Sequence, residues 1–156
     1  MSFFTRIGVL MRSILSALLL VASLSSATSL FSTNAFADAP AGQEQIIEAQ
    51  ESGRGLSFVE VKNVQVVQVL PDEVSANQHQ KWMVKLANGR TLLCVYNIDI
   101  TQRVPIQVGD TVSMGGQYIF THAGGLIHWL HADPRAERPN GYVDLNGTRY
   151  GAVTGN

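Results

Sequence analysis

From Leu56 onward the chain alternates between apolar and polar positions. In LSFVEVKNVQVVQVL, Val59 and Val61 share one parity, Val64 and Val66 the other, and Val67 and Val69 swing back. Side chains on a strand change face at every residue, so a run that changes parity reads as one long strand with a bulge or bend. Pro71-Asp72 stops it, and EVSANQ makes a polar loop. His79 to Ala87 is a second strand, with Trp82, Val84 and Leu86 on one face and Lys81 and Lys85 on the other. Asn88-Gly89 is a strong hairpin signal, because both residues tolerate positive φ. It leads into a third strand, Thr91 to Tyr96, antiparallel to the second.

Asn97 to Val108, with Pro105 inside it, is a connector. Gly109-Asp110 turns into TVSMGGQYIF, a fourth strand that Gly115-Gly116 is expected to break with a bend or bulge. Thr121 to Gly125 is a second hairpin loop, and Leu126 to His131 a fifth strand ended by Asp133-Pro134. Tyr142 to Leu145 and Thr148 to Gly151 flank Asn146-Gly147 as a small terminal hairpin. The pattern predicts an all-β fold, a small five-stranded OB-like barrel over 56–151 with a terminal β-hairpin, followed by a tail at 152–156. An SH3-like barrel or a small sandwich is the alternative. Upstream, Glu44 to Glu51 can form two helical turns with Ile46, Ile47 and Ala49 partly inward, so 38–55 is a short helix or a polar tether.

The start of the chain has a different character. Arg6 and Arg12 precede the apolar run Ile14 to Leu24, and Ala35-Phe36-Ala37 is a small-x-small exit. That order of charge, short apolar run and small residues marks residues 1–37 as a secretory signal peptide, cut before Asp38. The run is short against the roughly 20 residues of a spanning helix, and no later segment approaches that length. The expected location is therefore periplasmic or secreted. Without Arg6 and Arg12, 9 of the 11 basic residues remain against all 12 acidic ones, a net charge of −3. A mildly acidic domain lacks the footprint of a tight nucleic-acid binder. The remaining 119 residues suffice for one core. Cys94 is the only cysteine, so no intrachain disulfide forms. Set in an apolar run, it reads as a buried hydrophobe rather than a catalytic thiol, which needs a nearby cation or histidine.

Chemistry concentrates in GGLIHWLHADPRAERPNG, Gly124 to Gly141. His128, His131 and Asp133 suggest a metal site in which His122, or His79, would supply a further ligand. In a strand, however, His128 and His131 face opposite ways, and His131 shares its face with Asp133. His131 as base with Asp133 as its orienter, and Arg135 or Arg138 on a phosphate, would make a hydrolase. Alternatively His79, Trp82, His128, Arg135 and Arg138 are ligand-binding candidates on a barrel that takes oligomers across strands two and three. There Lys81, Lys85, Arg90 and Arg103 are basic, and Trp82, Tyr96, Tyr118 and Trp129 could stack on rings. These aromatics equally suit a barrel interior. The glycine pairs sit in no strand, turn and helix arrangement for a phosphate loop, so no cofactor is implied.

The blocks QVVQVLPDEVSANQHQKWMVKLANGRTLL, NID, RVPIQVGDTV and GGLIHWLHADP resemble the bacterial domain of unknown function 3465, over about Val61 to Tyr150. The resemblance implies an exported or envelope-associated protein and carries no established activity, ligand or catalytic residue. The family pattern has a histidine before the NID block and another in a Gly-Arg-His run, before a Gly-Trp. Here those places hold Tyr96, Arg138 and Tyr142, so a metal set served by the family's histidines would be incomplete.

Together these readings describe an exported binding or envelope-accessory module for an anionic or sugar-like ligand. The alternative is a metal-assisted hydrolase acting on a phosphodiester. Expressed with its leader in a bacterial host, the chain is expected to yield a product beginning at Asp38 by intact-mass analysis; a product retaining Met1 in the cytoplasm would refute the export signal.

Overall fold

A computed structural model of the chain describes residues 42–74 and 77–154. The expected signal peptide at 1–37, the first residues of the polar segment and the end of the tail lie outside the described residues. The elements are α1 (Gln43–Ser52), β1 (Leu56–Glu73), β2 (His79–Lys85), β3 (Thr91–Asn97), β4 (Thr111–Ile119), β5 (Leu126–His128), β6 (Tyr142–Leu145) and β7 (Thr148–Tyr150).

The expected all-β class holds. The seven strands form one sheet in the order β1-β2-β3-β5-β4-β6-β7, and β1 pairs with β4 as well. Five strands therefore make a closed OB-like ring, and the β6–β7 hairpin hangs from β4. Every pairing is antiparallel except β3 with β5, which runs parallel through Leu93 with Leu126 and Cys94 with Ile127. β1 reaches both β2 and β4 because it is long and bulged. The register slips opposite β4 between Val61 and Val64, where Asn63 takes a φ of 54°, and opposite β2 between Val66 and Gln68. These are the two changes of parity in the sequence. The first bulge keeps Val59, Val61, Val64 and Val66 all inside; beyond the second, Val69 emerges at 40% exposure.

Both tight hairpins form. Leu145 and Thr148 enclose a two-residue turn with Asn146 and Gly147 at φ 51° and 79°. At Asn88-Gly89 only Gly89 has positive φ, and the loop between Leu86 and Arg90 has one residue more. That is the three-residue hairpin in which a left-handed glycine closes a type I turn.

Three strands depart from expectation. β1 is not stopped by Pro71-Asp72: it runs on to Glu73, opposite His79, with a further register slip between Leu70 and Glu73 that accommodates the proline. β4 is not broken at Gly115-Gly116, for it runs on to Ile119 and the bulges lie on β1. The glycines allow close approach instead. The same edge of β4 pairs with β6 up to Gly115 and with β5 from Gln117. At the handover a Cβ on Gly116 would stand 2.5 Å from the His128 carbonyl oxygen. β5 stops at His128 rather than at His131, because Trp129 adopts a φ of 57° and turns the chain away. The departing segment is pinned by Gly141 N–H donating to the His131 carbonyl at 2.9 Å and Ala132 N–H donating to Gly151 at 2.8 Å.

The ring encloses Trp82, Val84, Leu92, Cys94, Tyr96, Met114, Tyr118 and Ile127, all essentially without exposure. α1 is a plug rather than a tether. Ile46, Ile47 and Ala49 are buried with that core, and each isoleucine side chain contributes roughly 1.5–3 kcal/mol by leaving water. Side-chain amides seat the plug: Gln43 Nε2 donates to Lys62 O at 3.2 Å, Gln43 Oε1 accepts from Ala87 N–H at 2.8 Å, and Gln50 Nε2 donates to Gly124 O at 2.6 Å. Those partners lie on β1, the β2–β3 hairpin and the β4–β5 loop, so the plug closes that end. Elsewhere the buried Gln80 holds the β3–β4 connector, donating to Val104 O at 2.8 Å and accepting from Val104 N–H at 3.1 Å. The chain returns to this connector at its end, where Val153 bridges Thr101 and Thr154 N–H donates to Ile100 O at 2.8 Å. Among the described residues no helix is long and apolar enough to cross a membrane.

The crossing at Gly141 is a direct test of this packing. A Cβ there would stand 1.8 Å from the Trp129 carbonyl oxygen and 2.7 Å from that of Gly115. Gly141→Ala should destabilise the fold by about 4 kcal/mol or more. Gly89→Ala meets nothing within 4 Å and should cost only the left-handed backbone, about 1–2 kcal/mol. Equal shifts in urea unfolding would contradict the close approach.

Candidate functional site

The end of β5, the turn at Trp129 and the loop that follows line a cleft of about 470 Å³. Asn97 and Ile100 form one wall; His128, Trp129 and His131 another; Asp133, Pro134, Arg135, Glu137 and Arg138 make the loop. His128 is the last residue of β5 and His79 the first of β2. The ring brings their Nε2 atoms to 3.4 Å, with the ring centroids 5.3 Å apart. His79 Nδ1 lies 2.9 Å from the Asn77 carbonyl oxygen. A carbonyl only accepts, so Nδ1 carries the proton, and in the neutral ring Nε2 keeps its lone pair. Burial, then the neighbouring His79, His131 and Arg138, lower the pKa of His128 to about 4.

Trp129 is the hub of the cleft. Its ring lies 5.6 Å from that of His128, nearly perpendicular, and 5.4 Å from that of His131. The Arg138 guanidinium carbon sits 4.3 Å over the same indole, within cation–π range. Arg138 Nη1 also reaches Gln117 Oε1 at 3.4 Å. Arg54, Arg103 and Arg149 are each paired with a carboxylate. Among the described residues Arg135 and Arg138 form no such pair.

Asp133 shapes the loop. Its carboxylate accepts backbone N–H bonds from Arg135 at 3.2 Å, Glu137 at 2.9 Å and Arg138 at 3.0 Å. These bonds, Arg135's first, hold its pKa below the usual carboxylate value. The expected bond from His131 is not made. His131 is buried, and its Nδ1 donates to the Ala132 carbonyl at 2.7 Å. The face relation between His131 and Asp133 also lapses, since β5 ends before either.

The remaining candidates separate. His122 sits in the β4–β5 loop at the plugged end, edge-on to Phe120. It shares a different hollow, with Gly89, Arg90 and Thr91, so His122, His131 and Asp133 are not brought together. Among the described residues no group of three or more His, Cys, Asp or Glu stands close enough to hold a metal ion. Trp82 has no exposed surface and lies inside the ring against Tyr96, its indole N–H without a partner among the described residues. It cannot touch a ligand on the surface. Tyr96 and Tyr118 are core residues too, their hydroxyls donating to Gln102 O and Gly124 O at 3.0 and 3.4 Å. Arg103 is engaged by Asp72, and Lys85 and Arg90 are exposed. Cys94 is wholly buried beside the Met114 sulfur, and burial raises its pKa well above the usual thiol value, so it stays a thiol. Asn97, expected only as the start of a connector and of the NID block, and Ile100 were not candidate site residues, because nothing local marks either as part of a cleft. Only the strand register, His79 opposite Asn97, puts that wall beside the histidines.

A second polar cluster lies on the hairpin. Arg149 pairs with Asp144 at 2.7 Å and stacks on Tyr142, whose hydroxyl donates to Glu60 at 2.6 Å. Burial, then Glu60, push the Tyr142 pKa up to about 12. This cluster fastens the hairpin to β1.

Ring and cleft together define an OB-like domain with a histidine- and arginine-lined hollow outside the core. The chain belongs to a family of proteins of unknown function, DUF3465, whose model matches residues 26–151. No curated protein and no solved structure matches it.

His128 gives the cleft a pH signature. Folded, it takes its proton near pH 4; unfolded, near the ordinary 6.5. Between the two values the unfolded chain holds more protons, so stability should fall as pH drops from about 6.5 to 4 and level off below. Proton NMR should show one imidazole titrating near 4, and His128→Gln should remove both that resonance and its share of the stability loss. A His128 midpoint near 6.5 would contradict its burial.

Proposed function

We propose that this domain is an exported binding or envelope-accessory module whose ligand, anionic or sugar-like, seats in the cleft at Trp129. The observation that carries the reading is the Arg138 guanidinium stacked on the Trp129 indole beside a second arginine, Arg135, neither of them in a salt bridge among the described residues. A guanidinium held over a ring keeps its N–H groups available in plane for carboxylate, sulfate or phosphate oxygens. A partly exposed indole adds a surface for a sugar ring. Asp133 holds the loop through backbone bonds, which supports a prearranged site and lowers the ordering cost of binding.

The domain charge of −3 limits long-range attraction. It favours short anionic glycans over nucleic acid. The alternative, a metal-assisted phosphodiester hydrolase, needs three protein ligands and an open position, and the geometry favours the binding reading over it.

The two tryptophans make the test direct, since Trp82 is buried and Trp129 lines the cleft. Titration with heparin-derived oligosaccharides, and separately with neutral chitooligosaccharides, should shift the emission of Trp129. Arg138→Ala should weaken an anionic ligand about tenfold, a loss near 1.4 kcal/mol, and Trp129→Phe should remove the signal. Binding that leaves the emission unchanged, or survives Trp129→Ala with Arg135→Ala, would place the ligand elsewhere and overturn the reading.

A further inference from the structure

The histidine pair makes a poor hydrogen bond and a good bite. Two neutral imidazoles facing through Nε2 can share one proton, but at 3.4 Å the contact is longer than the usual range of about 2.7–3.2 Å. A tetrahedral ion with bonds of about 2.0–2.1 Å to nitrogen sets its ligand atoms about 3.3–3.4 Å apart. The observed separation is the edge of that tetrahedron.

We propose that His79 Nε2 and His128 Nε2 form a two-histidine site for a divalent cation that prefers imidazole, of the zinc or copper class. The surroundings suit the assignment. The Asn77 carbonyl fixes His79 in the tautomer that leaves Nε2 free, and the Glu73 carboxylate lies 3.8 Å from the same Nδ1. A metal-binding histidine ordinarily gives its second N–H to such acceptors. His128 sits in the cleft wall, so the coordination positions beyond the pair open toward water or a molecule bound there. His131 lines the same cleft but does not complete a set of three. The site is therefore open and exchangeable, unlike the closed four-ligand sites that hold folds together.

The chain, purified without a polyhistidine tag, is titrated with zinc sulfate by calorimetry and with cupric chloride by electron paramagnetic resonance. One equivalent of each is expected, with nitrogen hyperfine structure on the copper signal. His79→Gln and His128→Gln should each weaken zinc at least about tenfold, and His122→Gln at the plugged end should change nothing. Circular dichroism on the same samples separates lost binding from lost fold, and His79, at a strand end, is the gentler substitution. No stoichiometric uptake, uptake that survives His79→Gln with His128→Gln, or equal loss in His122→Gln would each overturn the site.

Discussion

Two residue pairs close the molecule. Leu93 beside Leu126 and Cys94 beside Ile127 are the whole of the parallel pairing between β3 and β5, and the rest of the ring is antiparallel, with its bulges on β1. Without that contact the strands would form an open sheet with exposed edges, and Trp82, Tyr96 and Met114 would have no far wall to meet. With it, β5 lies beside β3 just as β2 does on the other edge. The start of β2 and the end of β5 then fall at the same rim. His79 and His128, 49 residues apart in sequence, meet there for that reason.

Brevity at β5 matters as much as closure. A strand continued to His131 would have kept alternating, and the histidines would have pointed to opposite faces. The left-handed residue at Trp129 ends the alternation after three residues. The indole is left across the opening, and His131 is sent inward. Asp133 then gathers the following loop by three backbone bonds, and Arg135 and Arg138 project from it. The acidic residue that looked like chemistry supports the scaffold. The cationic and aromatic residues around it face the cleft.

How much of this was legible in the sequence follows from the range of the forces involved. Alternation and turn residues are local, and they located β1 to β4, both hairpins and the bulges of β1. The helix was visible as two apolar turns, but its role as a plug depends on Gly124 and Ala87, far along the chain. Gly115-Gly116 looked like a break because a glycine's need for space and its freedom to bend leave the same mark in one sequence. The end of β5 was unreadable for a related reason: nothing about Trp129 signals a positive φ, and the segment it turns toward, at Gly141, lies 12 residues on. The candidate site residues divide by position. His79, His128, His131, Asp133, Arg135 and Arg138 gather at one end of the ring, whereas Trp82 and His122 lie elsewhere, because closure decides which loops share a rim.

The plug at the N-terminal side has a kinetic meaning. α1 is made before any strand, yet its partner Gly124 lies 74 residues downstream of Gln50. Leu56 likewise waits for Tyr118 before β1 can pair with β4. Contacts this far apart must overcome loop entropy before they stabilise anything, and such topologies fold in milliseconds to seconds rather than microseconds. The first described element is thus among the last to seat, and the isoleucines of α1 stay uncovered until the β4–β5 loop has been laid down. A chain built this way remains open until nearly all of it is present.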